Sequence, residues 1–161
     1  MHPQIRPGNI SDAPFIADGN IRMALETEQR QLDTKTVTAG VTAALEDASK
    51  GIYYIAEADG KPVGQMFITC EWSDWRNGNF WWIQSVYVVE TFRGRGIFRA
   101  LFEHVNAMAR ARKDVCGLRL YVEAENAQAK QVYSRLGMYE TSYGVFETDF
   151  VLNHQGGRGN E

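Results

Sequence analysis

The stretch from Phe80 to Val122 constrains the fold more than any other part of the sequence. Phe80 to Val89 is a long run that is apolar on both faces, which predicts a central strand covered on both sides. It leads into Arg93-Gly94-Arg95-Gly96. From about Gly96 to Lys113, Phe98, Leu101, Phe102, Val105 and Ala109 recur at the three-and-four spacing of one buried helical face. Arg110, Arg112 and Lys113 bring cations to the end where the helix dipole is negative. Leu118 to Val122 then reads as a second strand. A strand, a helix and a strand of these lengths form a crossover unit, so the two strands are expected to run parallel.

The rest of the chain predicts antiparallel neighbours. Ile5-Arg6-Pro7 reads as a short edge strand. Ser11 or Asp12 is expected to cap a helix with Pro14 in its first turn, and Ile16, Asn20, Met23 and Leu25 give that helix an imperfect inward stripe. A second helix is expected from about Thr34 to Ala48, with Val37, Val41, Ala44 and Leu45 inward and Gly51 as its stop. Ile52 to Ala56 and Val63 to Trp72 are strands joined by the tight turn Asp59-Gly60. Ser73 to Gly78 is a loop. A short helix follows from about Ala127 to Leu136, stopped by Gly137, and Tyr139 to Leu152 reads as a last antiparallel hairpin. The expected class is α/β, with a mixed, mostly antiparallel sheet, one parallel crossover and helices on both faces. A single domain is expected over residues 1–152, with a flexible polar, glycine-rich tail over 153–161.

Composition narrows the partners. The chain has 161 residues, 17 Lys plus Arg against 20 Asp plus Glu, and a formal charge of -3, which disfavours a nucleic-acid partner. Cys70 and Cys116 each lie in apolar, strand-like runs and are expected to be buried thiols. No CxxC or Cys/His cluster supports a metal site. The N-terminus lacks a basic flank and an apolar signal core, and no apolar run approaches the roughly 20 residues that span a bilayer. A soluble, cytoplasmic protein with no membrane partner is expected.

The Arg93 to Arg99 turn carries the chemistry. N–H groups at a helix start point outward without partners, and the helix dipole adds about half a positive charge there. Glycines let the backbone approach a ligand closely, and Arg93, Arg95 and Arg99 add charge. The pattern describes a cradle for a phosphate or pyrophosphate, against the plainer alternative of a surface turn with solvated arginines. A P-loop would need four residues between its glycines and then Lys with Ser or Thr, which this turn lacks. A dinucleotide site would need a third glycine where Arg99 stands. Glu123 could serve as its ribose-binding acid, but one crossover unit flanked by hairpins is not a doubly wound sheet.

Two motifs carry a resemblance to the GNAT superfamily of N-acetyltransferases. Arg93-Gly94-Arg95-Gly96-Ile97-Phe98 matches the family's Gln/Arg-x-x-Gly-x-Gly/Ala pattern except at Phe98, where a small residue is usual. Asn126-Ala127-Gln128-Ala129-Lys130-Gln131-Val132-Tyr133-Ser134-Arg135-Leu136-Gly137-Met138 resembles the family's second block. The resemblance covers about Ile5 to Leu152. It implies acetyl-coenzyme A as acetyl donor. The backbone of Val86-Tyr87-Val88 would pair with the pantetheine arm. Gly94, Arg95, Gly96, Ile97, Phe98 and Arg99 would hold the pyrophosphate through their N–H groups. Asn126 would touch the cofactor arm, and Tyr133 would stand near the thioester sulfur as the catalytic residue. Periodicity alone makes Tyr133 a core tyrosine on a stripe with Ala129, Val132 and Leu136.

The acceptor is less constrained. The family places a general base on the fourth or fifth strand, where this chain has Trp81-Trp82-Ile83-Gln84-Ser85 and Tyr121 instead of a carboxylate. Glu26, Glu28, Glu71, Asp74, Glu123 or a water chain remain as candidates. Glu26, Glu28 and Asp33 with Trp72, Trp75, Trp81 and Trp82 suggest acid plus aromatic surface for a small cationic amine, with Glu26, Glu28, Trp82 and Gln84 as its contacts. A protein N-terminus or lysine is the alternative acceptor, and a non-catalytic acyl-coenzyme A-binding module is the alternative class. The aromatic C-terminal hairpin (Tyr139, Tyr143, Phe146, Phe150) could pair edges in a homodimer.

Overall fold

The computed structural model describes residues 2–152, so the expected 153–161 tail lies outside the described residues. The chain divides into two compact units, one running through Tyr121 and the other beginning at Val122. The first holds a five-stranded sheet in the order β1-β2-β3-β4-β5. Its strands are β1 (Gln4–Pro7), β2 (Ile52–Ala58), β3 (Lys61–Ser73), β4 (Gly78–Val88) and β5 (Val115–Leu120). All neighbours are antiparallel except β4 and β5, which are parallel as the crossover requires.

Helices cover both faces. On one face lie α1 (Ala13–Glu28) and α2 (Thr34–Glu46), whose Ile16, Ala17, Val41 and Ala44 pack on Tyr53 and Ile55. Val37 and Leu45 join this cluster as expected, but Leu25 is 57% exposed and Ala24 takes the inward place. The entry to α1 also differs from expectation. Asn9 caps a short 3-10 turn over Ile10–Asp12, and the Asp12 carboxylate reaches back to the Asn9 N–H and to Arg6. Arg6 is held by both Asp12 and Glu57, so its guanidinium fastens β1, β2 and the start of α1 together.

On the other face lies α3 (Ile97–Ala111). Ile97, Leu101, Phe102, Val105 and Ala109 are buried against the sheet, while Phe98 is half-buried with its ring 6.2 Å from that of Phe102. Truncating Leu101 to alanine in such a site costs about 2–5 kcal/mol. The cysteines depart from expectation: Cys70 is exposed, opening onto a cleft beside Trp81 and Arg112, and Cys116 is half-buried on β5, the last strand of the sheet.

The second unit contains α4 (Ala127–Arg135), capped by Asn126 and ended by Gly137 at φ 87°. The expected hairpin over Tyr139 to Leu152 is not formed. These residues make no strand among the described residues, and Tyr139, Tyr143, Phe146 and Phe150 are 77–102% exposed. Their residue types favour strands, but strand propensity is satisfied only beside a hydrogen-bonded neighbour.

Candidate active site

β4 extends past β5. The parallel ladder runs from Asn79 beside Val115 to Ile83 beside Leu120, and β4 then continues to Val88 paired only with β3. From Gln84 onward its β5-side backbone therefore faces a wedge that opens between the two parallel strands. The wedge begins at a bulge. Phe67 pairs with Gln84 and Gln65 with Tyr87, and Ser85 takes φ 46°, a left-handed value uncommon for serine.

Gln65 lies under the bulge and is fully buried. Its Nε2 donates to Asn20 Oδ1 at 2.7 Å, to Ile16 O at 3.3 Å and to Ser85 O at 3.4 Å, while its Oε1 finds no partner among the described residues. A Cβ on Gly19 would stand 2.6 Å from that Oε1, so α1 rests directly on this amide. A buried side chain bonded at both α1 and the bulge ties the helix to the kinked strand. Sequence reasoning passed over Gln65, Asn20 as a polar contact, and the bulge. The available signal was one glutamine inside the apolar run Val63-Gly64-Gln65-Met66-Phe67-Ile68.

The turn after β4, expected as an anion cradle, is built on two left-handed glycines. The Val89 N–H donates to Val63 O, and a 3-10 turn over Glu90–Phe92 brings the chain to Gly94 and Gly96 at φ 74° and 81°. Gly96 is the N-cap of α3, and with no side chain it cannot fold back onto the first N–H groups. The helical ladder begins with Ala100 N–H to Gly96 O. A Cβ at either glycine would meet nothing within 4 Å, so the left-handed backbone, not crowding, calls for glycine there.

The arginines divide. The Arg93 Nε donates to Val88 O at 3.0 Å and its Nη2 to Glu26 Oε2 at 2.7 Å, which joins the strand end to the end of α1. Arg99 pairs with Glu103 one helical turn on, and Arg95 lies over the Phe92 ring. Thus Glu26, one of the expected acceptor contacts, engages an expected cradle residue, and Glu28 pairs with Arg30 at 3.7 Å.

The acceptor contacts Trp82 and Gln84 lie on the α1–α2 side of the sheet. The Trp82 and Tyr121 rings are 4.5 Å apart, and the Gln84 Nε2 donates to Thr69 Oγ1 at 2.5 Å. Beside them Arg119 lies 3.6 Å over the Phe80 ring and pairs with Glu71 at 2.6 Å. The four tryptophans do not gather in one place. Trp81 is buried on the α3 side near Arg112, and Trp72 and Trp75 are exposed. A cleft of about 150 Å³ lined by Tyr54, Cys70, Trp81 and Arg112 lies at the opposite end of β4 from the wedge.

In the second unit the Asn126 Oδ1 accepts from the Ala129 N–H at 3.0 Å, which leaves its amide nitrogen as the outward donor. Tyr133 is half-buried, and burial pushes its phenol pKa above the ordinary value of 10.0. Among the described residues no helix is long and apolar enough to cross a membrane, and no cluster of His, Cys, Asp and Glu is arranged to hold a metal.

The fold has counterparts in known proteins. A possible acetyltransferase from Clostridium difficile 630 superposes with a TM-score of 0.87 at 43% identity, over 94% of this chain and 99% of that one. A predicted acetyltransferase with acetyl-CoA from Clostridium acetobutylicum shares the fold with a TM-score of 0.73 at 17% identity, over 91% and 96% of the two chains. An uncharacterized N-acetyltransferase of Methanocaldococcus jannaschii is 36% identical over 91 residues, which is 55% of this chain but 39% of that longer relative. The sequence profile of the acetyltransferase (GNAT) family matches residues 20–138, and the chain belongs to that family.

Proposed function

We propose that the protein transfers an acetyl group from acetyl-coenzyme A to the primary amine of a small cationic molecule. The observation that carries this reading is the wedge beyond Ile83, which opens toward a helix start capped by a left-handed glycine. An extended pantetheine arm needs one free strand edge, and a pyrophosphate needs convergent N–H groups; this stretch of chain offers both. Val86 and Val88 present main-chain groups to the arm, with Tyr87 turned inward as their support. The N–H groups from Gly94 through Ile97 to Arg99 take the pyrophosphate. Arg95 and Arg99 supply positive charge, and Arg93 holds the turn against α1. The Asn126 amide donates to the arm.

Acetyl-coenzyme A, when bound, supplies the thioester carbon that the amine attacks. An alkylammonium of pKa near 10 leaves only about one molecule in a thousand as free amine at neutral pH, so the acceptor must lose a proton on entry. A main-chain N–H near Val88 stabilises the oxygen that gains charge as the nitrogen–carbon bond forms. When the carbon–sulfur bond breaks, the proton that the nitrogen sheds in becoming an amide balances the departing thiolate, directly or through water. Even at the ordinary tyrosine pKa, full transfer of the Tyr133 proton to a thiolate is uphill by about 2 kcal/mol, and burial raises that further. Tyr133 therefore acts as a hydrogen-bond donor to the leaving sulfur. It stays protonated through the neutral range, so kcat is expected to show no Tyr133-dependent loss up to about pH 10.

The acceptor class is supported by the Trp82–Tyr121 pair on one sheet face, where Glu71 is engaged by Arg119. Tyr121 is 60% exposed, and an exposed aromatic face favours a cation. The test is thiol release with acetyl-coenzyme A across polyamines, amino sugars, amino acids and peptides with free N-termini. Turnover is expected with the small cations. Faster turnover of the peptides would overturn the acceptor class, and coenzyme binding with no thiol release would overturn catalysis.

A further inference from the structure

Two residues stand where folding alone would not put them, and they meet. Gly19 lies buried inside α1, where glycine weakens a helix relative to alanine. Gln65 lies in the apolar run of β3, fully buried, with Oε1 unpartnered among the described residues. A buried acceptor without a partner costs stability, and a chain that needed only to fill this space would do better with methionine. A Cβ on Gly19 would stand 2.6 Å from Gln65 Oε1 and 3.0 Å from Tyr87 Cδ1, so the glycine leaves the room that the amide occupies.

The surroundings fix the orientation of the amide. Its nitrogen faces Asn20 Oδ1, Ile16 O and Ser85 O at 2.7, 3.3 and 3.4 Å, and the last two are main-chain carbonyls, which only accept. Two hydrogens serve three acceptors, so one hydrogen is shared. Neither a methionine nor a carboxylate at this position would donate to any of them. The third acceptor belongs to the bulge. β4 sets Ser85 and Val86 against the single Met66 of β3, and Ser85 takes φ 46°. Serine has no preference for that angle, so groups outside the strand must hold it. The Gln65 amide reaches the Ser85 carbonyl, and Tyr87, two residues on, is buried against Gly19. One contact between α1 and β3 thus fastens the bulge at both ends.

We propose that Gln65 is a positioning residue for acetyl transfer: with Gly19 it holds the Ser85 peptide in its left-handed turn and so sets which main-chain groups of Val86 to Val88 face the wedge. An added residue reverses the side to which every following residue presents its groups, so loss of the turn would withdraw the strand edge offered to the coenzyme. This inference rests on the acetyl-transfer reading above, but coenzyme binding and the backbone of β4 report on it without turnover.

The test compares Gln65→Met, Gln65→Glu and Gly19→Ala with the parent chain. It reads kcat, both KM values, coenzyme A affinity by calorimetry, and the carbon chemical shifts of Ser85 and Val86. Gln65→Met is expected to lower kcat at least about tenfold and to weaken coenzyme A about tenfold, with the acceptor KM within about twofold. Its Ser85 shifts should move to extended values. Gly19→Ala improves helix propensity but displaces the amide, and should lose activity in the same way. In Gln65→Glu, burial raises the carboxyl pKa, and only the neutral acid can donate. Its kcat relative to the parent chain should therefore climb as pH falls from about 8 to about 6. A merely structural residue would lower the melting temperature and leave kcat, coenzyme affinity and the Ser85 shifts of the folded protein alone. That result in Gln65→Met would overturn the proposal, as would slower turnover with the Ser85 shifts unmoved, or a Gln65→Glu ratio indifferent to pH. If Gln65→Met does not fold, Gly19→Ala and Gln65→Glu decide the matter. A parent chain that releases no thiol would sink the acetyl-transfer reading instead, and the shifts and calorimetry of the variants would still judge the role of Gln65.

Discussion

The proposed donor end and the proposed acceptor face are made of different material. The proposed donor end is backbone: the strand edge at Val86 to Val88, which β5 does not pair, and N–H groups after Gly94 and Gly96. The proposed acceptor face is side chain: Trp82 against Tyr121, Glu71 against Arg119, Gln84 against Thr69. Backbone recognition depends on φ angles and tolerates many residue types, provided the glycines stay. Side-chain recognition changes with each substitution. A fold built this way can keep one donor and vary its acceptor.

Four substitutions test that division, the largest effect first. Tyr133→Phe removes the donor to sulfur and is expected to lower kcat about a hundredfold, with coenzyme A affinity by calorimetry unchanged. If kcat were retained, side-chain chemistry at the sulfur would be dispensable and the division would lose its sharpest case. Gly96→Val forces a β-branched residue to φ 81°, a strain of about 2 kcal/mol that should weaken coenzyme A about thirtyfold. Equal affinity in this variant would break the backbone half of the comparison. Tyr121→Ala takes away the exposed ring and is expected to raise the acceptor KM about fivefold, with coenzyme A binding untouched. Arg93→Gln should shift coenzyme A affinity by no more than about threefold, because its guanidinium is spent on Glu26 and Val88 O and its pair is exposed. A large loss there would mean that the arginine charge, not the N–H groups, carries the pyrophosphate.

The division also explains what the sequence made legible. The turn could be read because glycine is the residue that left-handed angles call for, and because the apolar stripe of α3 marks where the helix starts. The crossover could be read from length and periodicity. The bulge could not, since Ser85 adopts a positive φ without being glycine or asparagine. Gln65 was visible only as an oddity, because a sequence does not say that Asn20 and Ile16 O lie above it. The pairing of Glu26 with Arg93 joins residues far apart in the chain, and no local pattern announces it. Residues 139–152 were read as a hairpin and form no strand, because residue preference names a conformation without naming the neighbour that satisfies it.

The bulge at Ser85 has one more consequence. Strand side chains alternate sides, so Gln84 and Tyr87 should point opposite ways, yet the added residue brings both to the α1–α2 side. A residue at position 85 that refused the left-handed angle would flatten the bulge with no change in chain length, turning Tyr87 toward α3 and sending Val86 and Val88 toward α1. The facing of the whole end of β4 therefore hangs on one backbone angle, that of Ser85.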